Sequence, residues 1–253
     1  MMIRRSFGLS AILVSLSLGG CGDDRWRDYN YKMTVYADGK AYSTVRHVEV
    51  TEGTSIQSSS GRRVDRKVEG EAVIIDTPSG PVFALMTPAE GSFGNGYYAA
   101  YVAEPALVPA IGKAKESEAG AAVREYREAQ PGFDNLADDA ERHNAMLKVE
   151  GPRDLPRTIS NPDRYRGPKD IAVWPKFVRF NDMKDPRSME IVSADSVGVS
   201  NITIEVTDEE TTTTIDAILP NYGPKSGFKE WYQNLPSGDP LQISKDLFLK
   251  RNK

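Results

Sequence analysis

The sequence predicts an α+β fold that is β-rich, mainly an antiparallel sheet, with a helical hairpin inserted around residues 113–149. Three observations carry that prediction. Apolar and polar residues alternate from Tyr29 to Val35 and again from Ile202 to Val206, the period of strands with one buried face. The runs Ala72–Ile75 and Val82–Met86 are apolar throughout, as expected of strands covered on both faces. Lys113 to Gln130 is instead rich in Ala, Glu, Lys and Arg, which form helices readily, and Asp134–Val149 continues with Leu136, Ala140 and Met146-Leu147 at roughly helical spacing.

Taken in order, the first strand ends before Asp38-Gly39, a pair suited to the positive φ angles of a tight hairpin. Ala41–Val50 is the returning strand, and Gly53–Arg63 reads as a polar loop. A further strand starts at Val64 and is expected to run through Gly70 into Ala72–Ile75. Thr77-Pro78-Ser79-Gly80 then turns the chain into Pro81–Met86, and the two apolar runs are expected at the centre of the sheet. Pro131-Gly132 divides the helical region into Lys113–Gln130 and Asp134–Val149, since proline and glycine stop helices. Residues 150–170 are proline-rich and charged, and read as a long surface connection.

Strand character resumes at Val173–Phe180, with Pro175 marking an edge or a strand beginning, and Asn181–Pro186 is a turn. Thr211–Leu219 is expected to return beside Ile202–Val206 as a strand. The tail from Phe228 carries Trp231, Tyr232 and Leu235 and should pack onto the body. Neither β-region has an obvious complete core of its own. Residues 29–253 are therefore expected to form a single α+β domain, with the later strands joining or packing on the earlier sheet.

The amino terminus has a different logic. Arg4 and Arg5 precede the nearly unbroken apolar run Phe7–Leu18, and small residues follow. That order is the pattern of a secretory signal, and Phe7–Gly20 is short of the roughly 20 apolar residues of a membrane-spanning helix. The sharper feature is Leu18-Gly19-Gly20-Cys21, which resembles the lipobox of bacterial lipoproteins. The resemblance implies that residues 1–20 are removed as a signal peptide. It also implies that Cys21 carries diacylglycerol, its new amino group is acylated, and residues 21–28 form a lipidated tether. Two or more acyl chains hold a protein stably on a membrane where one does not. Cys21 is the single cysteine, so no internal disulfide competes for it. An ordinary cleaved signal with a chance cysteine is the plainer alternative. In the lipoproteins resembled, Asp directly after the cysteine signals inner-membrane retention. Gly22 stands there, so the resemblance favours the outer membrane over the inner one, facing the periplasm.

Three stretches, "GEAVIIDTPSGPVFALM", "WPKFVRFNDMKDPRSMEIV" and "ITIEVTDEETTTTIDAILP", resemble a group of uncharacterised exported proteins and lipoproteins of proteobacteria. The resemblance covers about a third of the chain and implies no activity. In that group the final Leu-Pro is often followed by Trp-Leu, where this chain has Asn221-Tyr222.

Composition and motifs narrow the chemistry. The formal charge of −4 becomes −6 once Arg4 and Arg5 leave with residues 1–20. With no basic cluster, this argues against a nucleic-acid partner. The two histidines, His47 and His143, fall short of the ligand set of a zinc site, and no nucleophile elbow is present. No catalytic residue, metal ligand or cofactor is assigned on this basis. Gly91, Gly94 and Gly96 match neither a dinucleotide fingerprint nor a P-loop. Their loop is the candidate place for Phe93, Tyr97 and Tyr98 to meet a ligand, because aromatic rings stack at low entropic cost. The bland reading is a turn leading into a buried aromatic segment. Asn181–Pro186 and Thr207–Glu210 gather oxygen atoms without the glycine and alternation of a calcium loop, and read as turns. Two functions follow: a membrane-anchored, non-catalytic lipoprotein that binds a protein or envelope component, or a cell-envelope hydrolase using His47 or His143.

Overall fold

The structure, a computed structural model, describes residues 26–54, 62–89, 98–111, 136–160 and 170–251. Strand β1 (Tyr29–Ala37) leads into β2 (Lys40–Thr54) through Asp38 and Gly39, at φ 49° and 74°. Two consecutive positive φ angles give the turn whose twist suits a hairpin. Along β1 the buried side chains are Tyr29, Tyr31, Met33, Val35 and Ala37, the alternation expected from the sequence.

Strand β3 (Arg62–Glu71) lies antiparallel to β2 on its outer side. Strand β11 (Val199–Thr207) lies antiparallel to β1 on the opposite side, with Tyr31 facing Val206 and Val35 facing Ile202. Two short strands close the edges: β6 (Arg153–Asp154) beside β11 and β12 (Leu249–Lys250) beside β3. The six-stranded order is β12-β3-β2-β1-β11-β6.

A second sheet joins β4 (Val73–Thr77), β5 (Gly80–Pro88), β9 (Pro175–Phe180) and β10 (Met189–Val192) in the order β10-β9-β5-β4. Both sheets thus combine strands from the two ends of the chain. A small third ladder pairs β7 (Thr158–Ser160) with β8 (Asp170–Ala172). Among the described residues every strand pair is antiparallel.

The single strand expected from Val64 to Ile75 is two strands in two sheets, broken at Ala72. Gly70, at φ 142°, takes a backbone conformation closed to most side chains, and the chain crosses between layers just beyond it. The apolar-on-both-faces reading holds, with the covers now identified. Val73, Ile75, Val82, Ala84 and Met86 enter the core shared with the six-stranded sheet. Ala72, Phe83, Leu85, Val178 and Phe180 enter a second core closed by Ile215, Ile243, Leu247 and Phe248 of the tail. β5 is central; β4 lies at an edge.

Helices are few among the described residues. They are α1 (Tyr98–Tyr101), α2 (Glu104–Ile111), α3 (Leu136–Met146) and α4 (Phe228–Asn234). Of the expected hairpin, α3 is observed and contacts α2, while 112–135 lie outside the described residues.

Residues 150–170 are not simply a surface connection. Leu155 is buried, its N–H donates to Ile202 O at 2.8 Å, and its carbonyl accepts from Trp174 Nε1 at 2.8 Å. The expected strand Thr211–Leu219 is also corrected. β1 lies along one edge of β11 and β6 pairs with the other at Thr203 and Ile204, the place a returning strand would need. The segment instead bonds β2 at Val45, where Thr212 N–H donates to Val45 O at 3.1 Å and the Thr212 hydroxyl accepts from Val45 N–H at 3.1 Å, and it enters a short 3-10 turn at Ile215–Ala217.

Candidate functional site

The tail runs from α4 over the second core and back to the edge of the first sheet. Phe248 fixes the return: its ring is fully buried, and its carbonyl accepts from Ala72 N–H at 2.7 Å. Leu249 then faces Glu71, and Lys250 faces Gly70. Where the tail bridges the two layers it leaves a cavity of about 310 Å³.

Val68 on β3, Met86 on β5, Ala99 on α1 and Leu247 of the tail give the cavity apolar walls. Tyr232, Gln242, Ser244, Asp246 and Lys250 supply polar groups from the tail alone. An apolar interior with a few convergent polar groups, at the small end of ligand-cavity volumes, is the usual form of a small-molecule site. Gln242 is engaged with its own loop, its amide 3.4 Å from Leu235 O. Among the described residues, no side-chain hydrogen bond or ion pair engages the Tyr232 hydroxyl, Ser244, Asp246 or Lys250. Those groups are open to a ligand.

Behind the Ala99 wall lies Arg46, fully buried. Its Nε donates to Glu71 O at 2.9 Å and its Nη1 to the Tyr31 hydroxyl at 3.2 Å. That hydroxyl donates onward to Ala99 O at 2.7 Å. Nη2 is buried with no partner. The buried Glu71 carboxylate is spent elsewhere, accepting from the Thr214 hydroxyl at 2.9 Å and from Ile215 N–H at 2.8 Å. Burial pushes the Tyr31 and Tyr98 hydroxyls above the ordinary phenol range, while Arg46 pulls the other way.

The residues singled out in the sequence fall elsewhere. Tyr98 is buried and donates its hydroxyl to Val173 O at 2.8 Å. Its ring belongs to the core shared with the six-stranded sheet. Phe93, Tyr97 and Cys21 lie outside the described residues. His47 pairs its Nδ1 with Asn30 Oδ1 at 2.7 Å.

His143 is buried, donates from Nε2 to Arg27 O at 2.9 Å, and leaves Nδ1 without a partner. Its ring lies 5.4 Å from that of Trp26 and 5.5 Å from that of Tyr29. Neither histidine lines the cavity or hydrogen-bonds a carboxylate. Among the described residues no three His, Cys, Asp or Glu side chains gather as a metal site. The Asp182 and Asp185 side chains close their own turn by bonding Lys184 N–H and Arg187.

Burial holds the His143 imidazole below its ordinary pKa, opposed by the Arg27 carbonyl and Asp28 and reinforced by Arg66. The folded protein therefore prefers the neutral ring. That contribution is present above the unfolded value near 6.5 and is lost as the pH falls through the lower folded value. Unfolding midpoints measured from pH 7.5 to 5 should fall, and His143→Phe should flatten the fall. An unchanged profile in the variant would exclude His143 as its source.

Sequence signals for the cavity were nearly absent. Its polar residues sit in a segment without periodicity, and only the crossing of the tail brings them to Val68 and Met86. Compared with known proteins, the chain matches no family model, no curated protein and no solved structure.

Proposed function

We propose that this protein is an envelope lipoprotein, anchored through acylated Cys21, whose periplasmic body binds a small ligand in the tail cavity without catalysis. The observation that carries the anchor is Leu18-Gly19-Gly20-Cys21 directly after a charged start and an apolar run. The outer membrane is favoured because Gly22 follows the cysteine. The binding role rests on the unengaged polar groups above the apolar walls.

Packing next to the tether fits this reading. Trp26 stacks near His143, and the Arg66 guanidinium lies 5.8 Å from its ring. Arg66 also lies 4.3 Å from the Tyr101 ring and 3.1 Å from Glu104. The body is thus held from Trp26 onward. The five steps from Cys21 to Trp26 reach at most about 18 Å, so an acylated chain would carry its body close to the bilayer. A hydrolase reading would need a histidine joined to an acid and a nucleophile, and neither His47 nor His143 offers that arrangement.

Cys21→Ser is the test. The parent should fractionate with membranes and incorporate a labelled fatty acid. The variant should lose the label and either leave the membrane fraction or persist as the longer precursor. Equal labelling of both forms would overturn the anchor.

A further inference from the structure

We infer that the tail cavity selects a small carboxylate-bearing amphiphile, its anionic end toward Lys250 and its hydrocarbon end against Val68, Met86 and Leu247. This rests on reading the cavity as a binding site and adds the class of ligand. Three observations set the sign of the charge. Lys250 lines the cavity, is half-buried, and has no ion-pair partner among the described residues. Gly70 stands directly across from Lys250, and the Arg46 side chain presses against Gly70 from the other side.

Among the described residues Arg46 has no carboxylate within ion-pair distance, because the nearby Glu71 carboxylate is turned to Thr214 and Ile215. Its contacts are a carbonyl and a hydroxyl, and the Tyr31 hydroxyl links it to the Ala99 wall. Charges screened by water fade quickly, but a buried charge is screened far less. Arg46 Nη2 is left without a partner, whereas the equally buried Glu71 carboxylate is held by Thr214 and Ile215; the cation that reaches the cavity itself is Lys250.

Asp246 is the one acidic side chain of the lining. It is exposed and belongs to the 3-10 turn Lys245–Leu247 at the solvent side. It opposes anions approaching from outside. Ser244 and the Tyr232 hydroxyl can each donate a hydrogen bond to a carboxylate oxygen. Size limits the remainder. At about 30 Å³ for each non-hydrogen atom, the share of a water molecule, 310 Å³ holds roughly ten atoms. That is a short acyl chain or a single ring, not a full-length lipid.

The probes are hexanoate, hexanol and hexylamine, which share a chain and differ in charge. The full chain, purified in mild detergent with methyl-labelled methionine, reports on each through the Met86 methyl signal, assigned with Met86→Leu. Hexanoate should shift that signal saturably and bind at least ten-fold more tightly than hexylamine. Lys250→Gln should weaken hexanoate five-fold or more while leaving hexanol unchanged, and Asp246→Asn should tighten hexanoate. If hexanol or hexylamine binds as tightly as hexanoate, the carboxylate assignment is overturned while the cavity stands as a binding site. If none of the three moves the Met86 signal, the binding reading falls with it.

Discussion

Gly70→Ala is expected to destabilise the protein by about 3 kcal/mol, read as a lower urea midpoint. Two costs combine. At φ 142° an L side chain adds strain of about 1–3 kcal/mol. A Cβ there would also stand 2.7 Å from Arg46 Cγ and 3.1 Å from its Cα and Cβ, an overpacking of about 1–3 kcal/mol. Arg46 cannot move away cheaply, since Glu71 O and the Tyr31 hydroxyl hold its guanidinium. Gly151→Ala separates the two costs. Gly151 has φ 73°, and nothing lies within 4 Å of its added Cβ, so it should lose only about 1–2 kcal/mol from conformation. In an Arg46→Ala background the Gly70 substitution should cost less, a coupling that a double-mutant cycle measures directly. Equal losses at Gly70 and Gly151 would remove the clash from the account.

Strand positions were legible where one local rule was sufficient. Asp38-Gly39 specified its turn, and the alternation from Tyr29 to Ala37 specified a face, because side-chain direction in a strand repeats every two residues. The apolar run around Ala72 correctly announced two covered faces. It did not announce that the chain leaves one sheet for the other at that point. That change depends on Gly70 yielding its side-chain space to Arg46, a partner on another strand.

Thr211–Leu219 shows the converse failure. Its threonines favour extended backbone, yet a strand also needs a free edge, and β6 already pairs with β11 at Thr203 and Ile204 opposite β1. The candidate cavity was the least legible feature. Tyr232, Ser244, Asp246 and Lys250 have no common spacing, and their convergence is a property of the route the tail takes over Phe248. Arg46 was similarly hidden: on an alternating strand it reads as one more polar residue, and only the core on its face makes it a buried cation.

Phe248→Ala should cost still more, about 3–5 kcal/mol, the usual loss for removing a fully buried aromatic ring. The ring centroid of Phe248 lies 5.6 Å from that of Phe83, 5.7 Å from that of Phe180 and 6.0 Å from that of Tyr222. It is the tail's central contact with the second sheet face. Typical domains are stable by only about 5–15 kcal/mol, so this one ring is a large share of the total. Trp231→Ala provides the comparison. Trp231 is only partly buried at the margin of the same core and should lose no more than about half as much. The effect should also be directional. Strand β12 pairs with β3 at only Leu249 and Lys250, too short a ladder to hold the tail without Phe248 beside it. In Phe248→Ala the Met86 methyl should therefore lose its response to hexanoate under conditions where most of the protein is still folded, whereas Trp231→Ala should retain it. A Phe248 variant that kept both its stability and that response would show that the tail is held by other contacts, and that its crossing does not depend on this ring.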